Sequence, residues 1–483
     1  MTVEVECKAE AVQVAVEPVK AAAEEVKCEK DESKPKTVEK SSSYREESNF
    51  LSDLKEHEKK ALNDLKTKLE EAILGNAIFK KKETPKKPAE EKPAEASEEV
   101  AEKKEECGGD EAPKPTEVCE EEIAKKEECE AVEKCEAEAV DEDISIWGVP
   151  LLPSKGNEST NVVLLKFLRA REFKVHDALE MLKKTLQWRK EFKIDTLLEE
   201  EFEADLAAAA YMSGVDREGH PICYNIFGVL DEKTVATEEK REQFLRWRVQ
   251  LMEKGVEKLD FKADGINSLL QINDLNNSPG ASKKEVRAAV NKAVALLQDN
   301  YPEFVAKNIF INVPFWYYAF HSLLSPFLTQ RTRSKLVFAR PSKVTETLLK
   351  YIPIQEIPVQ YGGMKRENDF EFSNADGEAT EVMIKAGCTE TIEIPTPEQG
   401  GTTFIWDVTV VGWEVNYTEE FVPTDENSYT MIVHKCKKMS SEEEALRKTF
   451  KNNEAGKIVI TVQNSSGKKK KLFYRYKIKK ASF

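Results

Sequence analysis

The chain has 483 residues, with 89 Asp+Glu against 73 Lys+Arg and a formal net charge of −16. A third of the residues are charged and 8% are aromatic, so the whole length cannot form one tightly packed core; its size suits about two to four domains. The acidic balance speaks against a general nucleic-acid binder, which needs a cationic surface to neutralise phosphates.

The charge is unevenly placed. Residues 1–140 hold 39 acidic and 25 basic residues, net −14, while residues 141–483 are almost neutral at −2. Met1 to Glu10 is acidic and lacks the apolar stretch of a secretory signal. No apolar run approaches the roughly 20 residues that span a bilayer. Six of the nine cysteines (Cys7, Cys28, Cys107, Cys119, Cys129, Cys135) lie in this tail without a Cys-x-x-Cys pair, and its only histidine is His57. Free thiols in a reducing compartment are expected there, rather than a zinc site or disulfide framework. The expectation is a soluble, cytoplasmic protein without a metal.

Lys-Pro, Pro-Ala-Glu and Glu-Glu units, as in Lys86 to Ala96, predict that residues 1–140 are largely disordered, because they bury too little apolar surface to offset chain entropy. One stretch differs. Between about Asn49 and Phe79, Leu51, Leu54, Leu62, Leu65, Leu69 and Ile73 recur at helical spacing. They define either a docking or membrane-surface helix, or a solvated helix laced with Glu–Lys pairs.

Order is predicted from near Ile144, where Trp147-Gly148-Val149-Pro150-Leu151-Leu152-Pro153 breaks the charge run. Val162 to Phe192 reads as helix–turn–helix. From Tyr211 to about Gly363 short apolar runs (Pro221–Phe227, Leu269–Ile272, Ile309–Val313, Lys335–Phe338) alternate with helical patterns. That order implies a parallel or mixed sheet covered by helices. Beyond about Asp376 the period becomes two, as in Phe404, Trp406, Val408 and Val410. Ile458, Ile460 and Val462 lead through Asn464-Ser465-Ser466-Gly467 to Leu472, Tyr474, Tyr476 and Ile478, which reads as a hairpin. About 100 such residues predict a small β-sandwich.

Leu165-Lys166-Phe167-Leu168-Arg169-Ala170-Arg171-Glu172-Phe173, followed by Trp188-Arg189, resembles the helical N-terminal part of CRAL-TRIO lipid-transfer proteins. Asp299-Asn300-Tyr301-Pro302-Glu303, Ile311-Asn312-Val313-Pro314, Pro326-Phe327-Leu328, Ser334 to Phe338 and Pro358 to Gly363 resemble their lipid-binding domain. The C-terminal sandwich resembles a GOLD domain. An acidic tail followed by these modules resembles the plant patellins, over roughly residues 144–483. The resemblance implies an α/β CRAL-TRIO-like domain with N-terminal helices (144–210 and 211–375), then an all-β GOLD-like sandwich (376–483).

A carrier of this kind must hide acyl chains from water, at about 0.8 kcal/mol per CH₂. The resemblance makes the aromatic stretch from Pro314 to Leu324 the gate, with Phe315, Trp316, Phe320, Leu323, Leu324 and Phe327 lining gate and apolar pocket. Read by itself, the stretch is also compatible with ordinary core. Glu303 and Lys335 match the family's paired headgroup positions and Thr332 its hydroxyl; Arg169 or Arg171 either contributes from the N-terminal helices or is structural. The alternative is an interior Glu303–Lys335 salt bridge. Phosphatidylinositol carriers of the family usually place a basic residue after Pro-Glu, and here it is Phe304. Ser278 falls near a choline-lipid hydroxyl position.

Residues 386–433 contain nine acidic and no basic residues, whereas 434–483 contain 15 basic and four acidic. Lys468, Lys469, Lys470 and Lys471, with Arg475, Lys477 and Lys479 on one strand face, form either a patch for anionic membrane or partners of the acidic half. No Gly-x-Ser-x-Gly elbow, His-Glu-x-x-His or phosphate-cradling glycine loop is present, so no enzyme chemistry is expected. The reading is a cytoplasmic, peripheral-membrane lipid carrier holding one phospholipid or other hydrophobic ligand and no other cofactor. The resemblance further implies phosphoinositide-containing plasma, endosomal or cell-plate membranes, membrane trafficking in plant cell division, and trafficking partners through the tail or GOLD-like part. The alternative is a non-transferring trafficking adaptor.

Overall fold

The computed structural model describes residues 47–79, 143–279, 283–314, 330–395, 401–441 and 443–479. Most of the acidic tail therefore lies outside the described residues.

The first helix, α1 (Glu56–Leu74), starts where Glu58 accepts a hydrogen bond from the Lys55 N–H at 2.9 Å. Its apolar stripe is core: Leu62, Leu65 and Leu69 are at most 2% exposed. It is neither a free docking helix nor a solvated one. A two-stranded ribbon follows, β1 (Ser145–Ile146) and β2 (Val149–Pro150), then α2 (Glu158–Ala170) and α3 (Val175–Phe192). The Asn157 side chain caps α2 by accepting the Ser159 and Thr160 N–H groups. α1 packs on both helices, so the helical part draws on chain from before residue 79 as well as after 143. Leu65→Ala is expected to cost about 2–5 kcal/mol, as for a large-to-small change in a closed core. Urea unfolding of the full chain measures it, and a loss under about 1 kcal/mol would show that α1 is not part of the folded body.

Trp147, in the turn of the ribbon, stacks on Phe167 and Phe261 and meets Phe304 edge-on at 4.6 Å. The run Trp147 to Pro153 thus belongs to the same core as α2. Two short helices, α4 (Ile194–Leu197) and α5 (Ala204–Ala209), lead into a five-stranded sheet.

The sheet elements are β3 (Ala210–Val215), β4 (Pro221–Ile226), α6 (Glu238–Val256), β5 (Leu269–Asp274), α7 (Lys284–Asn300), β6 (Val305–Ile311), α8 (Gln330–Lys335) and β7 (Leu336–Phe338). Strand order is β3-β4-β5-β6-β7, with β3–β4 antiparallel and the other pairs parallel. The tight turn at Asp216 permits the antiparallel pair, whereas β4–β5 and β5–β6 need the α6 and α7 crossovers. Side-chain alternation divides the two faces. Ile222, Tyr224, Leu270, Ile272, Ile309 and Ile311 bury against α9 (Val344–Leu348) and the segment after it. Cys223, Asn225, Gln271, Asn273, Asn308 and Phe310 point the other way, toward α6 and α7. The closing motif ends at Gly363, where an added Cβ would stand 2.0 Å from the Ile357 carbonyl oxygen.

The C-terminal strands are β8 (Thr380–Ile384), β9 (Thr389–Pro395), β10 (Thr403–Val410), β11 (Asn416–Pro423), β12 (Met431–Lys438), β13 (Leu446–Lys451), β14 (Gly456–Gln463) and β15 (Lys470–Lys479). They form two antiparallel sheets, β13-β10-β15-β8 and β12-β11-β14-β9, around Trp406, Trp413, Tyr417 and Phe421. The expected β14–β15 hairpin is corrected here, because the two strands lie in different sheets. Asn464 explains the crossover: fully buried, it donates its side-chain amide to the Lys385 and Lys468 carbonyls. Those bonds satisfy the backbone of a chain that changes layer instead of turning back on itself.

One face of β15 is covered by the rest of the chain. Phe473 packs with the cluster under the five-stranded sheet. Arg475 and Arg447 bond Asp407 and Asp369, and the Phe372 ring lies 4.2 Å from the Arg475 guanidinium. The segment 364–376 is thereby clamped to the sandwich.

Candidate functional site

Helix α7 ends at Asn300, and the Tyr301-Pro302-Glu303-Phe304 turn divides its side chains between two environments. Tyr301 and Phe304 enter the aromatic core with Trp147, and Phe304 is 1% exposed. Glu303 takes a left-handed backbone (φ 57) and turns outward. Its carboxylate meets Lys335 Nζ, from the end of α8, at 2.8 Å; the side chains are 17% and 13% exposed. Lys335 also donates to the Val305 carbonyl at 2.9 Å. The paired positions are thus brought together at a partly buried polar spot, in the ion-pair geometry given above as the alternative. Thr332 falls in α8, three residues before Lys335, and its side chain lies outside the described residues.

Phe304 cannot replace the missing basic residue, because its ring is core. A different cation comes close: Lys166 of α2 is 2% exposed and donates to the Asn267 and Glu303 carbonyls at 2.7 and 2.9 Å. Its ammonium also lies 4.5 Å above the Phe304 ring. Nothing in the spacing of α2 distinguishes this lysine from an exposed one; only tertiary packing buries it.

The expected arginines go elsewhere. Arg169 is buried, pairs with Glu47 at 2.9 Å and donates to Asn49 and the Ser48 carbonyl. It fastens the segment ahead of α1, which corrects its headgroup assignment. Arg171, at the end of α2, lines an outer groove of about 550 Å³ with Asp177, Glu180, Trp188, Leu296 and Asp299. Ser278 lies in the turn after β5, its N–H bonded to the Leu275 carbonyl. The gate and pocket residues Phe315, Trp316, Phe320, Leu323, Leu324 and Phe327 lie outside the described residues.

The sheet face toward α6 is polar over its centre. Asn225 donates to Asn273 at 3.1 Å, and Asn273 donates to Asn308 at 3.2 Å, an amide ladder across β4, β5 and β6. Toward β7 the face becomes aromatic, with Phe310 and Phe338 stacked at 5.3 Å. Gln271, Asn308, Phe310 and Phe338 all stay partly accessible although they lie on the inner or far strands of the sheet. Among the described residues this face runs from polar to apolar and keeps part of its surface accessible. The sequence signal was available: polar residues alternate with Ile and Leu in β4, β5 and β6.

The basic strand is mostly engaged in cis. Arg475 bonds Asp407 and Asp369, Lys477 meets Asp376 at 2.7 Å, and Lys479 pairs with Glu371. Lys470 donates to the Gly412 carbonyl, and Lys471 meets Glu381 at 2.6 Å. Lys468 and Lys469 are exposed. The expected seven-cation patch therefore contracts to the crossover loop, since the linker occupies the Arg475–Lys479 face.

Among the described residues no helix is long and apolar enough to cross a membrane, and no group of acidic, His and Cys side chains could hold a metal. Residues 50–184 match the family model of the CRAL/TRIO N-terminal domain and residues 207–363 that of the CRAL/TRIO domain. Residues 385–471 match the Patellin-1-like C-terminal GOLD domain. Patellin-4 of Arabidopsis thaliana is 55% identical over 93% of this chain and 92% of its own length. Patellin-3 of the same plant is 49% identical over 72% of each. A phosphatidylinositol transfer protein, SFH5 of Kluyveromyces lactis, is 28% identical over 49% of this chain and 80% of its own length. A CRAL-TRIO body with a patellin-type GOLD sandwich, matched over nearly its whole length by Patellin-4, places the chain in the patellin family.

Proposed function

We propose that this protein binds and transfers a lipid, working peripherally at phosphoinositide-containing membranes in trafficking at the forming cell plate of dividing plant cells. The observation that carries the lipid reading is the partly accessible inner face of the sheet, polar at its centre and aromatic at one side, beside the Glu303–Lys335 pair. An amphiphile needs that gradient: a polar floor for its head and apolar rings for its chains. Family membership and the phosphatidylinositol transfer protein among the relatives support the same reading. Lys468 and Lys469, at the β14–β15 crossover, are the cations placed to meet an anionic leaflet, at about 1 kcal/mol each.

Mass spectrometry of the purified full chain is expected to find about one lipid per protein, and labelled lipid should pass from donor to acceptor vesicles. Lys335→Ala leaves the half-buried Glu303 carboxylate without its ammonium, so lipid uptake is expected to fall about tenfold. Protein that carries no lipid and accepts none from vesicles would refute the carrier reading.

A further inference from the structure

Arg248 lies in the middle of the stripe by which α6 faces the sheet. Phe244, Leu251 and Gly255, at i−4, i+3 and i+7, are all buried there; Gly255 lies against Leu269 of β5. A guanidinium in that stripe is anomalous, because buried charges are ordinarily paired. Among the described residues Arg248 has neither an ion pair nor a hydrogen bond; its guanidinium stacks only on the neighbouring Trp247 ring, at 5.3 Å. The ionisable group that acts on it is Cys223, directly beneath on β4, whose thiol burial pushes up and so keeps neutral. Burial, with no carboxylate to oppose it, depresses the Arg248 guanidinium from its ordinary value. The side chain is largely enclosed by protein, yet part of its surface remains accessible.

The floor beneath it is built from amides. Cys223 pairs in register with Gln271 of β5, and Gln271 with Asn308 of β6, so Arg248 stands over the edge of a row that leads to the amide ladder. The side chain of Gln271, partly accessible on the central strand, also has no hydrogen-bond partner among the described residues. By contrast, the Glu303–Lys335 pair already neutralises itself. Among the described residues of this face Arg248 carries a positive charge with no ion pair, and the apolar end lies across the sheet at Phe310 and Phe338.

We infer that Arg248 is an anion-binding residue inside the protein, seating the phosphate or carboxylate of a bound amphiphile over the Gln271–Asn308 floor while its chains run toward Phe310 and Phe338. The inference rests on the lipid-carrier reading and names the class of cargo: a lipid with an accessible oxyanion, held head-inward. An arginine suits this role because its planar fork bonds two oxygens of one oxyanion at once and stays charged when desolvated.

The test loads the full-length protein from phosphatidylcholine vesicles containing either phosphatidic acid or diacylglycerol, which differ by the phosphate alone. Bound lipid is quantified by mass spectrometry for wild type, R248Q and R248M. Phosphatidic acid uptake is expected to fall about tenfold or more in both variants, the size of one charge-assisted contact, while diacylglycerol uptake stays within about twofold. Both variants should melt at or above the wild-type temperature, since each removes an unpaired charge from the interior. Equal phosphatidic acid uptake by wild type and both variants overturns the inference and leaves the carrier reading intact. So does failure of both variants to fold, which would make Arg248 structural. If inorganic phosphate alone raises the wild-type melting temperature but not that of R248Q, and no lipid loads, the anion is a free phosphate and the lipid assignment is overturned. Wild type that takes neither lipid refutes the carrier reading itself.

Discussion

Asp407→Ala is expected to destabilise the C-terminal sandwich by about 3–5 kcal/mol, the range for removing one partner of a buried ion pair. Asp407 is fully buried on β10 and accepts from Arg447 at 2.7 Å and from Arg475 at 2.9 Å, with Arg366 4.0 Å away. Without it, Asp369 alone faces three guanidiniums. Guanidine unfolding with the six tryptophans as reporters measures the loss. A change under about 1 kcal/mol would mean that water or Asp369 replaces the lost carboxylate.

The same network sets an acid limit. Burial by itself would raise the Asp369 carboxyl, but Arg447 and the N–H groups of Phe372 and Glu371 outweigh it and hold the group well below the usual carboxylate range. A depressed folded value means that the stabilisation is complete above the unfolded value, about 3.9. It is lost as pH falls from there toward the folded value. Asp369→Asn should therefore narrow its stability deficit as pH drops below about 4. A deficit unchanged by pH would show that the carboxylate charge contributes nothing.

Glu253→Ala is the second large effect, expected at about 3–5 kcal/mol. Glu253 of α6 is 6% exposed, receives the Tyr301 hydroxyl, and holds Arg189 of α3 through both carboxylate oxygens. Burial opposes the charge on Arg189, yet the bonds to Glu253 raise it above its ordinary value. Burial, followed by the Glu253 charge, pushes the Tyr301 hydroxyl well above its usual value, so it stays a neutral donor. The alanine variant leaves Arg189 against the Trp147 ring, 5.8 Å away, without its bonded carboxylate. Because the triad joins the helical part to the sheet domain, loss of cooperativity in thermal unfolding is expected too. Glu253→Gln keeps the shape and one acceptor, and should recover part of the loss.

Local pattern carried the architecture. Strands β4, β5, β6 and β7 stood out as short apolar runs between helical crossovers, and the sandwich as a change of period from 3.6 to two. Glu303 and Lys335 were legible as a pair because flanking motifs marked them, though only the left-handed turn at Glu303 aims one toward the other. The stripe of α1 was visible as a period, but whether water or protein covers it depends on α2 and α3, which are separated from it by residues 80–142.

The opening charge of −16 divides along the same line. Composition alone determined that the acidity is concentrated ahead of residue 141, and that the last 50 residues are strongly basic. It could not determine which cations are available, because ion pairing is set by distances between residues far apart in the chain. Folding commits Arg475 and Lys477 to the linker, Lys166 to backbone carbonyls and Arg169 to the segment before α1. It leaves Arg248, unremarkable in a helix of alternating charges, enclosed with neither an ion pair nor a hydrogen bond to its guanidinium among the described residues. Sequence counts charges; the fold decides which of them are neutralised.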